Sequence, residues 1–441
     1  MKFLLIAGLA SAAIALAQSQ PRAAPAPANS FILRGGTVHT ISGATIEDGS
    51  VLVRNGKIVG VGKNLTAPAG YKVIDVHGEQ VYPGMIDAAS MMGLDSQASE
   101  LKSDAEEMGL FNPQLRAVTA MNPASEHIPA SRANGVTGII EMPEGELISG
   151  QMSLVHLDDS GNNQAMTVVP SAAIHLRFPA LIIHPVRPHE SDDADDDPAP
   201  PEPIPYDEAK KDYDDKMSAL LQFFDDARQY QKEKLAHAAG FETNLKFEAM
   251  IPVLEGKTPR FVTAVREREI REAIQFADKQ KVKIILADAY DCYKVIPEIK
   301  AHNIPVVLGP TLTSPINPDD PYDRSFTTPA ELQKAGIKFA IATFSARRSR
   351  NLPFEAAAAV PFGLAHDDAY RAVSLSAAEI FGVAKQMGSI EEGKSADLIV
   401  ADGDPMEVTT NVKMVFINGK PESLETRQRQ LYEKYSGNPP K

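Results

Sequence analysis

Short runs of alternating apolar and polar positions, each closed by turn residues, dominate the chain after residue 30. Phe31 to Val38 and Gly49 to Gly62 read as β elements. Asn55-Gly56 splits the second run into a hairpin, because a two-residue turn of that kind needs positive φ at both central positions. Tyr71 to Val76 adds a strand. The apolar run Val81-Tyr82 then crosses a Pro83-Gly84 break, continues as Met85-Ile86-Asp87, and ends in Ala88-Ala89-Ser90-Met91.

The period then changes. Gly135 to Glu141 is a β-run, and Ile270, Ala273, Ile274 and Ala277 recur at helical spacing before the strand Val282 to Ala287. Val295 to His302 is helical, Ile304 to Leu308 extended, Ala330 to Ala335 helical, and Lys338 to Thr343 extended. Regular strand–helix alternation over this length predicts a parallel barrel with helices outside. Near the C-terminus, Val412 to Gly419 gives one more strand and turn.

The stretch 190–215 breaks the alternation with many carboxylates, Asp192, Asp193, Asp195, Asp196 and Asp197 among them, and with Pro198 to Pro205. Such a segment buries too little apolar surface to order itself and reads as an exposed loop. Its acids lack the glycine-centred spacing of a calcium loop. From Tyr206 to Ala239 the spacing turns helical, with Met217, Leu220, Leu221 and Phe224 on one face. At the other end, Met1-Lys2, the apolar run Phe3 to Ala17 and a small-residue finish read as a secretory signal over residues 1–17. A membrane-spanning helix needs about 20 apolar residues, and Gln18-Ser19-Gln20-Pro21 stops the run earlier. Residues 18–30 read as a Pro/Ala tether, and the product is expected to be periplasmic.

Composition narrows the function. The 441-residue chain carries a formal net charge of −14 and no basic stripe, which argues against nucleic acid and against an anionic membrane surface. Cys292 is the only cysteine, excluding an internal disulfide and a cysteine-based zinc cluster. Tryptophan is absent, which disfavours stacking on carbohydrate.

Three motifs together resemble the amidohydrolase superfamily. Pro83-Gly84-Met85-Ile86-Asp87 resembles the start of that family's first barrel strand, Asn55 to Gly62 its habitual early hairpin, and Gly388 to Asp397 with Leu398-Ile399-Val400 its closing motif. The resemblance implies a (β/α)8 TIM-like barrel over residues 83–387. The barrel would be inserted in a composite β-sandwich built from 31–82 and 388–421, with a tail at 422–441. It also implies hydrolysis of amide-type C–N bonds, as in imidazolonepropionase-like or prolidase-like exported members. In such enzymes a bound metal lowers the pKa of water and an aspartate takes its proton.

The ligand positions that the resemblance marks are altered. The His-x-His of strand one falls on Ala89 and Met91, the histidines of strands five and six on Thr263 and Asp288, and the aspartate of strand eight on Phe344. The strand-four ligand has no local match. Asp288 alone would suit a hard cation, so no metal and no other cofactor is expected. Zinc enters only if the centre has been rebuilt, with His156, His175 and His184 the candidate ligands. His184 and His189, five apart around two prolines, fit neither helix nor strand geometry for chelation. Met91-Met92 as a soft copper site competes with simple core packing, and Cys292 as a nucleophile lacks a nearby histidine. Arg347, Arg348 and Arg350 follow the last strand and are candidates to bind a carboxylate or phosphate, or to pair with acidic side chains.

Three readings follow. One is a partner subunit or pseudoenzyme that pairs with itself or with an active relative. Another is an active hydrolase with a divergent or relocated site, or one working without metal. The third is a binding protein for an anionic small molecule.

Overall fold

The computed structural model describes residues 28–94, 109–183, 202–316 and 319–437. The signal sequence, most of the tether, His184, His189 and the acidic run Asp192 to Asp197 lie outside them.

Five strands open the chain: β1 (Phe31–Val38), β2 (Ile46–Arg54), β3 (Lys57–Lys63), β4 (Lys72–Asp75) and β5 (Gln80–Pro83). β2 and β3 form the expected hairpin, with Asn55 and Gly56 at φ 51° and 75°. Eight more strands make a second sheet in sequence order: β6 (Met85–Ser90), β7 (Val136–Glu141), β8 (Ile148–His156), β9 (Thr167–Arg177), β10 (Arg260–Thr263), β11 (Ile284–Ala287), β12 (Val306–Leu308) and β13 (Phe339–Ile341). The chain then returns through β14 (Leu398–Ala401), β15 (Val412–Ile417) and β16 (Lys420–Glu422), which extend the first sheet as β16-β15-β14-β5-β1-β2-β3. Strands from both chain ends therefore share one sheet, and the barrel lies between them in sequence.

Period-two alternation explains the barrel's two faces. Ile86, Ile140, Phe261, Ile285 and Ala340 point into its interior cluster. Their neighbours Met85, Ile139, Val262, Leu286 and Ile341 pack outward against the helices. The helix Glu267–Gln280 covers this outer layer with Ile270, Ala273, Ile274 and Ala277 all buried, as the sequence spacing requires.

The alternation expected of a fully parallel barrel fails at one strand. β8 runs antiparallel to both β7 and β9, while the remaining pairs are parallel. Only residues 142–147 connect β7 to β8, and a parallel crossover needs a dozen or more. A second correction concerns the stretch 190–215, whose last ten residues are not loop. The helix Tyr206–Leu235 starts there, with Asp207 and Glu208 in its first turn, where the helix dipole favours acids. Lys210–Asp214 and Lys211–Asp215 pair one turn apart. The C-terminal segment likewise contains a helix, Arg427–Tyr435, capped by the Thr426 hydroxyl. Among the described residues no helix is long and apolar enough to cross a membrane.

Candidate functional site

The Pro-Gly break positions the barrel on the sandwich. A Cβ on Gly84 would lie 2.1 Å from the Thr137 hydroxyl oxygen, so only glycine lets β6 approach β7 here. The Gly84 amide donates to the Asp397 carbonyl at 2.9 Å, and the Tyr370 hydroxyl donates to the Pro83 carbonyl at 2.8 Å.

Asp87 lies outside the mouth, in the layer between strands and helices. Its carboxylate accepts from the Thr343 amide at 3.0 Å, the Thr343 hydroxyl at 2.5 Å and the Ser349 hydroxyl at 2.8 Å. Burial raises its pKa to about 6, and those same hydrogen bonds hold it from going higher. Asp87 thus staples the first barrel strand to the segment after the last. Nearby Glu141 is completely buried, and neither of its carboxylate oxygens has a hydrogen-bond partner. Burial, reinforced by the charge of Asp87, pushes it well above the usual range, which keeps it protonated.

At the C-terminal ends of the strands, where barrel enzymes carry their chemistry, the five positions marked by the sequence do gather. Ala89 is buried, and its carbonyl accepts from the Phe344 amide at 2.9 Å. The rings of Phe344 and Phe261 lie 6.1 Å apart, and Met91 and Phe344 both pack on the interior cluster. Phe344 and Asp288 each adopt left-handed backbone, at φ 51°. Burial raises the Asp288 carboxyl to about 7, against the lowering pull of Arg177. A Cβ on Gly309 would sit 2.5 Å from Asp288 Oδ1. A side chain at Gly309 would therefore have to push this carboxylate aside.

His175, one of the candidate ligands for a rebuilt centre, lies on the fourth strand of the barrel. It is 1% exposed, and burial drives its pKa down to about 4. Nδ1 lies 2.8 Å from the Pro143 carbonyl and Nε2 lies 2.9 Å from Thr263 Oγ1. A carbonyl only accepts, so Nδ1 carries the proton and Nε2 accepts from the Thr263 hydroxyl.

His156 does not join it. Its Nε2 faces the Asp397 carboxylate at 3.2 Å, and Asn418 contacts its Nδ1 at 3.1 Å. Burial alone would lower the pKa of His156, but the charge and hydrogen bond of Asp397 outweigh it and raise the value. Of the three histidines proposed for a relocated centre, His156 and His175 serve separate partners, and His184 lies outside the described residues. No group of three His, Cys, Asp or Glu able to hold a metal occurs among the described residues. Cys292 is buried and its thiol is pushed up to about 12 by that burial, which leaves it a packing residue. Met92 is fully buried and Met91 partly so, in different clusters. Arg347, Arg348 and Arg350 are exposed, and the Arg350 carbonyl accepts from the Asn134 amide nitrogen at 2.8 Å.

The superfamily's metal does not fit these residues. Ala89 and Phe344 offer no donor, Met91 offers only a thioether, and Thr263 offers only a neutral hydroxyl oxygen, a weak ligand. Asp288 is the one charged donor among the five positions, and one carboxylate does not fix a divalent ion.

Comparison with known proteins places this barrel in a family. Residues 212–421 match the model of the amidohydrolase family. An amidohydrolase from Thermotoga maritima MSB8 is 26% identical, with 89% of this chain and 99% of that one covered, at a TM-score of 0.76. A prolidase solved with N-methylphosphonate-L-proline aligns over 89% of this chain and 99% of its own at 16% identity and TM-score 0.53. An adenosine deaminase from Xanthomonas campestris with bound zinc aligns over 93% and 98% at 15% identity and TM-score 0.51. A search of curated proteins gave no match. The match over residues 212–421 and the fold shared with the Thermotoga maritima protein support an amidohydrolase-superfamily member.

Proposed function

We propose that this chain is an exported, periplasmic member of the superfamily that works without its metal centre, as a binding or partner subunit rather than a metallohydrolase. The observation that carries the reading is the pairing of Phe344 with Ala89. Two positions that hold ligands in metal-dependent relatives are joined here main chain to main chain. An aromatic ring stands where the proton-accepting aspartate is expected, packed 6.1 Å from Phe261. Fold alone licenses no chemistry, and the donor set supports this conclusion independently of the fold.

Metal analysis tests it. Purified protein incubated with Zn²⁺, Mn²⁺ or Fe²⁺ and then desalted is expected to retain far less than the roughly one ion per chain of a catalytic zinc site. Retention of about one ion per chain, or chelator-sensitive hydrolysis of X-Pro dipeptides or cyclic amides, would overturn the reading.

A further inference from the structure

The hydrogen-bond inventory of the barrel mouth fixes the kind of group it can receive. The Pro143 carbonyl holds the proton of His175 on Nδ1, so Nε2 takes the hydroxyl hydrogen of Thr263. Thr263, half-buried, then offers the mouth only oxygen lone pairs. On the adjoining strand Ala287 pairs with Thr263, and the next residue is Asp288. Neighbouring strands lie about 4.8 Å apart, which puts the two side chains within reach of one small ligand group. The Asp288 amide is spent on the Val307 carbonyl at 3.0 Å. Its carboxylate lies over Gly309, with Oδ1 2.5 Å from where a Cβ would be, and no described residue donates to it. Every polar atom that these two residues turn to the mouth is an acceptor. The half-exposed ring of Phe344 adds an aromatic wall.

We propose that the barrel mouth is a binding site for a protonated amine, with the Asp288 carboxylate and Thr263 Oγ1 accepting from the ammonium and Phe344 flanking it. An ammonium carries three donors and no acceptor, the complement of this set, and aromatic faces favour cations. Among the described residues, Arg177, exposed at the end of β9, is the cation that acts on Asp288, and its guanidinium is drawn towards Glu144 at 3.8 Å. The sign of this site is opposite to that expected from Arg347, Arg348 and Arg350.

The inference rests on the metal-free reading, and the two fail separately. Bound metal is counted first on the full-length protein, and amine binding is then measured by calorimetry in the presence of EDTA. The probes are benzylamine, benzyl alcohol and phenylacetate, at about pH 8, where Asp288 is ionised. Benzylamine is expected to bind about ten- to a hundredfold more tightly than benzyl alcohol, the range of hydrogen bonds to charged groups. Asp288→Asn is expected to abolish that preference and Thr263→Val to reduce it severalfold. Both variants keep the shape of the site, and Asp288→Asn also removes a buried titrating group, so it is expected to fold. Equal binding of amine and alcohol, preference for phenylacetate, or an unchanged preference in Asp288→Asn would each overturn the assignment while leaving the metal result intact.

Discussion

The amide of Phe344 donates to the carbonyl of Ala89 at 2.9 Å, joining the segment after the last barrel strand to the first strand. With the hydrogen bonds to Asp87 it ties the first barrel strand to the segment after the last, at two positions that the resemblance marks for ligands. On the proposed metal-free reading, a single donor restored there does not rebuild a site. Phe344→Asp is expected to gain no zinc affinity, since Ala89 and Met91 still lack imidazoles. Phe344→Ala removes the ring contact with Phe261 and is expected to cost about 1–3 kcal/mol, below the range for a fully buried phenylalanine because this ring is half-exposed. Phe344→Leu should cost less than Phe344→Ala. Chemical denaturation with and without Zn²⁺ measures both effects, and zinc stabilisation of Phe344→Asp would sink the argument.

Asp87 predicts a different cost. Three donors converge on its carboxylate from Thr343 and Ser349. Asp87→Asn turns an amide donor towards those donors inside a dry layer, so about 2–4 kcal/mol of stability should be lost. The readout is the urea midpoint. A loss no larger than that of an exposed aspartate would show that the staple is not holding the barrel closed.

Glu141 gives a pH-dependent prediction. Its folded pKa is raised by burial and then by Asp87, so the native state keeps a proton that the unfolded chain releases. Stability that depends on this group is fully present below the unfolded value of about 4.3, and it falls as pH climbs above that value. Glu141→Leu removes both the titration and the unpaired oxygens. The variant is expected to be more stable than the parent at pH 8, with the advantage shrinking towards pH 5. Urea midpoints at the two pH values decide it, and an advantage that does not change with pH would refute the assignment.

Local order explains what the sequence revealed. The Asn55-Gly56 turn, the helical spacing of Ile270 to Ala277 and the strand after Pro83-Gly84 are short-range signals, and each appears in the fold. The five positions that the resemblance marks, Ala89, Met91, Thr263, Asp288 and Phe344, lie in or just after strands β6, β10, β11 and β13. Long-range pairing was not legible. Nothing near His175 announces Thr263, 88 residues away, and nothing near Asp87 announces Thr343, 256 residues away. The reversed strand β8 escaped because its apolar pattern is the same in either direction, and only the short connector 142–147 betrays it. The helix from Tyr206 was legible in the spacing of Met217, Leu220, Leu221 and Phe224, and only its first turns, which overlap the acidic stretch 190–215, were also read as loop; the pairs Lys210–Asp214 and Lys211–Asp215 make those acids helix-compatible.

Arg260 provides the last prediction, and it runs against the usual expectation for a buried charge. Its side chain is fully buried beneath the inserted helices Tyr206–Leu235 and Leu245–Leu254, with the guanidinium 4.1 Å from the Phe224 ring centroid. Nη2 reaches the Met250 sulfur at 3.4 Å, while Nε and Nη1 have no hydrogen-bond partner. Burial, with the charge of Arg228 behind it, lowers its pKa to about 9. A cation stripped of water and left with a ring and a thioether has exchanged strong hydration for weak contacts. Because no buried carboxylate depends on it, removing the charge strands no partner, unlike the breaking of a buried ion pair. Arg260→Met keeps the unbranched stem and fills a similar volume against Phe224 and Met250. It is expected to leave stability unchanged or to raise it by about 1–3 kcal/mol, whereas Arg260→Ala, which opens a cavity, should destabilise by about 2–4 kcal/mol. Thermal and urea unfolding of the two variants side by side separate charge from volume. A loss in Arg260→Met as large as in Arg260→Ala would mean that the guanidinium itself, and not the space it fills, supports the fold.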